Sequence, residues 1–310
     1  MRQAKIASFL KAKWMYFLLP VGIVIGFVTQ SWSDLPVGDK ENKPVIIPAP
    51  VDMSPQVPAD LDFAGEPVPM DDPIVREQLE AELLQNQYSH FATVLNIKRS
   101  ARWQDTMTKI LKQNGVPEDF FFLMVAESGV RNATSYRGAQ GFWQFMPETA
   151  REFGLTVNDA IDERDDPVKA TYAACKYLNR AYKLFKNWTI VAASYNMGMG
   201  GINNSMTQQL DNDYHDLYLN IETGRYVYRI LALKLILKNP AMYGYYASAS
   251  DLYRPHKSRL IEVAGGVSLA QVAKENGVSY KSLRVLNPWI KKDVLPKNNF
   301  GLYKIQLLVK

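Results

Sequence analysis

The sequence predicts a mainly α fold, with an all-helical domain followed by a small α+β module. From residue 73 to about 245, apolar residues recur at helical spacing in about seven segments, and convincing alternating strands are absent. Proline, asparagine and glycine mark the ends of those segments. The tail instead shows a strand pattern, two helix patterns and a terminal strand. We therefore expect a helical domain over residues 73–250 and a module over residues 258–310.

Capping residues justify the individual helices. Asp72–Pro73 and Asp166–Pro167 each combine an N-cap residue with a proline at the first helical position. The expected helices of the domain cover residues 73–84, 103–113, 117–128, 147–154, 167–186, 188–196 and 224–239. In the module, helices are expected over residues 268–276 and 280–286, between two short strands.

Residues 1–33 predict an export signal. A basic start precedes an uncharged run over residues 14–33, which is long enough to span a membrane. We expect an uncleaved signal anchor, and a cleaved signal peptide is the alternative. Either way the basic start stays cytoplasmic. The protein is therefore expected in the cell envelope, periplasmic and anchored in the inner membrane by residues 14–33.

Residues 34–72 predict an extended linker, because they hold eight of the 17 prolines and little periodic hydrophobicity. Polyproline II rises about 3.1 Å per residue, so this stretch could reach on the order of 120 Å. Such a linker would hold the helical domain away from the membrane.

The charge and cysteine content exclude several classes of protein. The net charge of +5 includes four basic residues before residue 14, and without them the chain has 32 basic and 31 acidic residues. A nearly neutral body argues against a nucleic-acid partner. Cys175 is the single cysteine, which rules out an internal disulfide, and the three histidines show no metal-ligand spacing.

Glu127 is the candidate catalytic residue. It follows the apolar run from Phe120 to Val125, which predicts a helix that is buried on all sides. A carboxylate near a helix C-terminus, with apolar neighbours, has a raised pKa. An acid that stays protonated near neutral pH can act as a general acid. The alternative is that Glu127 only caps or bridges the following loop.

Two further stretches carry groups that suit a carbohydrate. "GAQGFWQFMP" combines close turns, aromatic surface and the amide of Gln144, and "AASYNMGMGG" places Tyr195 and Asn196 before three glycines. Aromatic faces and amides are the apolar and polar parts that sugar sites use. A core loop and a simple helix terminus are the respective alternatives.

These stretches together resemble the soluble lytic transglycosylase family, with its goose-type lysozyme-like fold. The resemblance covers roughly residues 95 to 240, with Phe142 and Ser194 as departures from the family pattern. The matching motifs, in order, are Glu127-Ser128, Gly141-Phe142-Trp143-Gln144 with Pro147, Ser194-Tyr195-Asn196-Met197-Gly198, and Glu222-Thr223-Gly224-Arg225-Tyr226-Val227.

The resemblance implies cleavage of the β-linkage between N-acetylmuramic acid and N-acetylglucosamine in peptidoglycan, with anhydro-muramyl ends. Glu127 would be both acid and base, and Tyr226 would orient it. Glu222 would have a structural role, in contact with the site residues and not with the glycan. The implied glycan contacts are Ser128, Ser135, Gln144, Tyr195, Asn196 and Tyr226. No metal or organic cofactor is implied, and peptidoglycan glycan strands are the expected partner.

The tail resembles a lysin-motif (LysM) peptidoglycan-binding module. "SLAQVAKENGVSYKSLRVLNP" carries the family landmarks, although the usual Gly-Asp-Thr opening appears as Gly265-Gly266-Val267. The module is expected to add wall affinity without taking part in bond cleavage. A degenerate module that packs on the catalytic domain is the alternative. Protein partners are unknown from the sequence.

Two other functions remain open at this point. A hydrolytic lysozyme-type muramidase needs a second carboxylate to activate water. The acidic run offers Asp159, Asp162, Asp165 and Asp166. We expect that run to be a solvated face that caps the next helix. The other alternative is a wall-binding scaffold without activity, which the intact Glu127-Ser128 pair argues against.

Overall fold

The computed structural model describes residues 55–297 and 301–309. The expected anchor and the first part of the expected linker lie outside the described residues. Within the described ranges, no helix combines the length and the apolar character that crossing a membrane requires.

The expectation of a mainly α chain is confirmed. In the described part of the chain, the helical domain contains α1 (Pro73–Tyr88), α2 (His90–Gln113), α3 (Phe120–Ser128), α4 (Pro147–Glu152), α5 (Pro167–Phe185), α6 (Trp188–Met197), α7 (Met199–Gln209) and α8 (Ile221–Lys238). Short 3₁₀ turns at Glu163–Asp165 and Pro240–Tyr243 precede α5 and follow α8.

The predicted caps are present at both Asp-Pro pairs. The Asp72 carboxylate accepts from the Ile74 N–H at 2.7 Å, and Asp166 accepts from the first turn of α5. Two helices differ from expectation. The predicted helix over 103–113 is the second half of the longer α2, and residues 199–209 form a helix that was not among the expected ones.

The α3 helix lies at the centre of the core. All six residues from Phe120 to Val125 are buried, and α3 packs against α2 and α8. The prediction that this helix is apolar on all sides is therefore correct. Gly129 ends α3 in the left-handed conformation, and its N–H donates to the Val125 carbonyl. The chain leaves the core at this point.

The part of the expected linker from residue 55 to residue 72 is not an extended spacer. It contains a two-stranded hairpin, β1 (Asp62–Phe63) and β2 (Glu66–Pro67), and Phe63 is fully buried against Phe120. The Glu66 carboxylate accepts from the Trp188 and Thr189 N–H groups, at 2.6 and 2.8 Å. A carboxylate at a helix N-terminus is favoured by the helix dipole. This segment therefore holds α6 in place.

The C-terminal module has the expected order of strand, helix, helix and strand. Its strands β3 (Ser258–Val263) and β4 (Tyr303–Leu308) pair antiparallel, with Ser258 opposite Leu308, and enclose α9 (Leu269–Glu275) and α10 (Tyr280–Leu286). The module has its own apolar core. That core also takes in Ile161, which belongs to the helical domain.

Candidate active site

Glu127 lies on the last turn of α3 and lines a cavity of about 520 Å³. Glu127 follows the buried apolar residues of α3, and the residue as a whole is half-buried at the edge of the core. Asn96 and Arg99 of α2 and Arg229 of α8 line the same cavity. The lone acid of the apolar helix therefore faces an open space instead of bridging the next loop.

Burial raises the pKa of Glu127 from its ordinary value of 4.5 to about 7. The hydrogen bond from Tyr226 and the charge of Arg229 act in the opposite direction, and the nearby Glu222 carboxylate raises the pKa further. A carboxyl with a pKa near 7 is partly protonated at neutral pH, so it can both give and take a proton.

Tyr226 donates a hydrogen bond from its phenol to Glu127 Oε1. The two residues come from α3 and α8, which cross in the core, and Tyr226 itself is buried. Burial and the Glu127 carboxylate both raise the pKa of the Tyr226 phenol well above 10. Tyr226 therefore remains a hydrogen-bond donor at physiological pH and fixes the orientation of the Glu127 carboxyl.

The loop over residues 132–146 carries Gln144 in a left-handed conformation, with φ of 47°. Its amide Nε2 donates to the carbonyls of Ala133 and Gly141, each at 2.8 Å. The side-chain nitrogen is thus used to tie the loop together. Among the described residues no donor reaches Gln144 Oε1, which leaves an acceptor for a ligand hydroxyl or amide.

The C-terminal end of α6 connects this loop to α8. The Tyr195 phenol donates to the Trp143 carbonyl at 2.7 Å, and Glu127 contributes to the raised pKa of that phenol. Asn196 Nδ2 donates to Glu222 Oε1 at 3.2 Å, while Asn196 Oδ1 accepts from Thr223 at 2.7 Å. Glu222 thus holds the amide of Asn196, as a supporting residue would.

Two predicted glycan contacts have other partners in the structure. Ser128 is buried, and its hydroxyl donates to the Met124 carbonyl within α3. Ser135 closes a turn in the loop, where its hydroxyl accepts from the Ala139 N–H at 2.9 Å. No contact joins Ser135 to Glu127 among the described residues, and the binding roles of both serines stay predictions.

The acidic run is not the solvated face that the sequence predicted. Asp162 and Asp165 are only 8% and 1% exposed. Asp162 forms an ion pair with Arg164 at 2.7 Å, and Asp165 accepts hydrogen bonds from Gln140. Of the four candidate acids, Asp166 does cap α5 as expected, and Asp159 is exposed. The buried pair has long-range partners that the local pattern does not reveal.

Glu82 is a second acid at the Glu127 cavity that the sequence analysis missed. It is 1% exposed on α1 and pairs with Arg225 at 2.7 Å and with Arg229 at 3.8 Å. Its spacing from Leu79 places it on the buried face of α1, which is the signal that could have found it. Because two guanidinium groups hold its charge, Glu82 is not placed to act as a base.

A larger cavity of about 600 Å³ lies elsewhere, between α2 and residues 237–252. Its lining contains no acidic or basic side chain. A titratable group with a strongly perturbed pKa in a cleft marks a candidate functional site. The Glu127 cavity is therefore the better candidate for an active site.

Comparisons with known proteins identify two domains. Residues 106–217 match the Transglycosylase SLT domain, and residues 259–308 match the Soluble lytic transglycosylase C-terminal LysM-like domain. Glu127, Gln144, Tyr195 and Asn196 fall within the first match, whereas Tyr226 and Glu222 lie beyond its end.

Two individual relatives are similar to parts of this chain. Membrane-bound lytic murein transglycosylase D of Escherichia coli (strain K12) is 31% identical over 227 residues, which are 71% of this chain and 49% of that protein. A protein named for tributyltin chloride resistance, from Alteromonas sp. (strain M-1), is 25% identical over 141 residues, 44% of this chain and 67% of its own length.

Among solved structures, an inactive mutant of lytic transglycosylase Slt from Pseudomonas aeruginosa matches 49% of this chain and 26% of its own. It is 20% identical, with a TM-score of 0.35. This chain spans about half the length of the Escherichia coli relative. The chain carries a transglycosylase SLT domain and a C-terminal LysM-like domain, and it is homologous to membrane-bound lytic murein transglycosylase D.

Proposed function

We propose that the protein is a peptidoglycan lytic transglycosylase. It cleaves the β-linkage between N-acetylmuramic acid and N-acetylglucosamine and leaves anhydro-muramyl ends, for remodelling of the cell wall. The observation that carries this proposal is the Glu127 carboxyl, with a pKa of about 7, in a cavity and in contact with Tyr226. The SLT domain and the murein-acting relative support the substrate class.

In the proposed reaction, protonated Glu127 gives its proton to the glycosidic oxygen as the bond to the anomeric carbon breaks. The resulting carboxylate accepts the proton of the muramyl hydroxymethyl group. That oxygen attacks the anomeric carbon and closes the anhydro ring, so no water is consumed. Tyr226 donates to the carboxylate between the two proton transfers, when the carboxylate carries its full charge.

The partners of Asp162, Asp165 and Glu82 argue against these three acids as the second carboxylate of a hydrolytic route. A hydrolytic muramidase needs a second carboxylate that is free to activate water. Asp162 pairs with the buried Arg164, Asp165 pairs with Lys291 and Gln140, and Glu82 is paired with two arginines. We infer that Glu127 serves as acid and base in turn. Gln144, Tyr195 and Asn196 would position the glycan beside it.

Product analysis tests the proposed reaction. Purified peptidoglycan digested with the protein should release fragments that end in anhydro-muramic acid. Mass spectrometry distinguishes them, because each is one water lighter than the hydrolysis product. Reducing-end muramic acid as the main product would move the protein to the lysozyme class. No soluble product at all would favour a wall-binding scaffold.

The Tyr226→Phe variant should shift the pH dependence of activity. The Tyr226 hydrogen bond lowers the pKa of Glu127, so its removal should raise that pKa above about 7. A hydrogen bond to a charged group is worth about 1.5–3 kcal/mol, which corresponds to roughly one pH unit or more. The general acid must be protonated, so the basic limb of kcat/KM should move to higher pH. Kinetics between pH 5 and 9 would measure it.

Tyr228→Phe provides the matched control for that experiment. Tyr228 lies two residues further along α8, is also buried, and bonds to His215 Nδ1 at 2.9 Å instead of Glu127. Its loss should leave the basic limb in place. A limb that moves equally in both variants, or in neither, would contradict the role given to Tyr226.

For location, we propose anchoring in the inner membrane by residues 14–33, with the catalytic domain in the periplasm. The uncharged run supports this, as does the membrane-bound relative. The mass of the mature protein from membrane fractions is the test. We expect the full N-terminal segment to be present. An N-terminus near Trp32 in a soluble fraction would show that the segment is a cleaved signal peptide.

A further inference from the structure

The C-terminal module joins the helical domain through residues 160–165, just before α5. Ile161 pairs with Ile290 in an antiparallel β-bridge, and Ile161 is buried within the core of the module. The Asp162 N–H donates to the Trp289 carbonyl, and the Lys291 N–H donates to the Ala160 carbonyl, both at 2.8 Å. The module is thus attached by main-chain hydrogen bonds and apolar burial together.

An ion pair extends this contact toward the active site. The Lys291 ammonium group donates to Asp165 Oδ2, and the Asp165 side chain is only 2% exposed. Gln140 Nε2 donates to both Asp165 oxygens, at 3.0 and 2.9 Å. A buried carboxylate is tolerated only when it is paired and hydrogen-bonded. Lys291 supplies the charge and Gln140 supplies the neutral donor.

The same segment holds the loop over residues 132–146. The Arg164 guanidinium is buried and donates to the carbonyls of Gly138 and Phe145, at 2.9 and 3.0 Å. Asn132 Nδ2 donates to the Asp165 carbonyl at 3.0 Å. The loop that carries Gln144 is therefore fixed at its start, middle and end by residues 164 and 165. Lys291 of the module reaches the loop through Asp165.

We propose that Lys291 is a positioning residue for the active site. Through Lys291, the C-terminal module contributes to catalysis by holding the loop over residues 132–146 in place. Lys291 compensates the charge of Asp165, which lets Asp165 hold Gln140 and with it the loop that presents Gln144. This proposal rests on the proposed function, since its main readout is the rate of glycan cleavage. It differs from the expectation that the module only adds wall affinity.

The experiment compares Lys291→Met with Lys292→Met in the full chain. Lys292 is the next residue and is also exposed, but its side chain forms no hydrogen bond or ion pair among the described residues. Because misplacement of a binding group by about 1 Å can cost up to roughly 100-fold, we expect Lys291→Met to lower kcat/KM by about 10-fold or more. The loss should fall mainly on kcat. Lys292→Met should match the unaltered protein, and Lys291→Arg should recover most of the activity.

Gln140→Leu tests the same route from the loop side. It should lower kcat as Lys291→Met does, and the double variant should be no worse than the worse single variant, because both act through Asp165. A purely stabilising Lys291 would lower the melting temperature, measured by circular dichroism, and leave kcat and KM unchanged below it. That result, or additive losses in the double variant, would overturn the proposal. An unaltered protein without anhydro-ended products would instead overturn the proposed function.

Discussion

Replacing Glu127 by glutamine should abolish nearly all turnover while the fold survives. Glutamine keeps the shape of the side chain and can still accept from the Tyr226 phenol, but it cannot deliver a proton. We expect the loss in kcat to exceed the roughly 10²- to 10⁴-fold that general acid–base catalysis contributes, because one group serves both proton transfers. Release of anhydro-ended fragments from purified peptidoglycan measures it.

Glu118→Gln is the control for that substitution. Glu118 lies just before α3, is exposed, and forms only a loose ion pair with Lys112 at 3.8 Å. An exposed pair of this kind is worth about 0–1 kcal/mol, so its loss should leave both stability and turnover nearly unchanged. Retained turnover in Glu127→Gln would contradict the assignment of Glu127 as the acid and base.

The same variant should be more stable than the unaltered protein above neutral pH. The pKa of Glu127 is about 7 in the folded state, compared with the ordinary value of 4.5 that applies to the unfolded chain. The folded state therefore holds the proton more tightly than the unfolded state. The stability that this provides is complete below pH 4.5 and is lost as the pH rises through 7. Glutamine does not titrate.

The melting temperature of Glu127→Gln should therefore exceed that of the unaltered protein at pH 8, and the gap should close toward pH 4. The difference in the free energy of unfolding should be at most about 3 kcal/mol, which is the energy that corresponds to the whole pKa difference. Solvent near the half-buried residue reduces this energy. Thermal unfolding at the two pH values measures it. A gap that widens toward pH 4 would mean that the carboxylate, and not the acid, is the form that the fold favours.

Local signals were enough to predict most of the helices and the burial of α3. The Asp72 and Asp166 caps, the buried α3 helix and the α10 boundaries all follow from short-range pattern. The α7 helix was missed because Gly200 and Gly201 open it, and glycines weaken a helical pattern.

Features that depend on contacts between residues far apart in the chain could not be predicted from local sequence patterns. Phe63 lies in a proline-rich stretch without periodicity, and only its packing against Phe120 shows that the stretch is folded. The Glu127–Tyr226 hydrogen bond joins positions 99 residues apart. The family resemblance implied that bond, whereas composition and spacing could not. The burial of Asp165 depends on Lys291, which is 126 residues away.

Replacing Gly141 by alanine should destabilise the protein more than the same change at Gly138, the other glycine of the loop over residues 132–146. Gly141 has a φ of +84°, and a Cβ there would lie 1.9 Å from the Arg164 carbonyl oxygen. That oxygen cannot move easily, because the Arg164 guanidinium is pinned to Asp162, Gly138 and Phe145. Left-handed strain costs about 1–2 kcal/mol and overpacking about 1–3 kcal/mol. We expect a loss of roughly 2–5 kcal/mol in the free energy of unfolding.

Gly138→Ala isolates the steric part of that effect. Gly138 has the same φ of +84°, but a Cβ at this residue would meet nothing within 4 Å. Its alanine variant should lose only the strain of about 1–2 kcal/mol. Denaturant unfolding measures the free energy of unfolding of both variants. The difference between them is the cost of the steric clash with Arg164. The close packing of Gly141 against Arg164 positions the loop. Gly141→Ala should therefore have a lower kcat/KM than Gly138→Ala at a temperature where both variants are folded. Equal losses of stability and of kcat/KM in the two variants would mean that the loop can move away from Arg164. The position of Gln144 would then not be rigidly fixed.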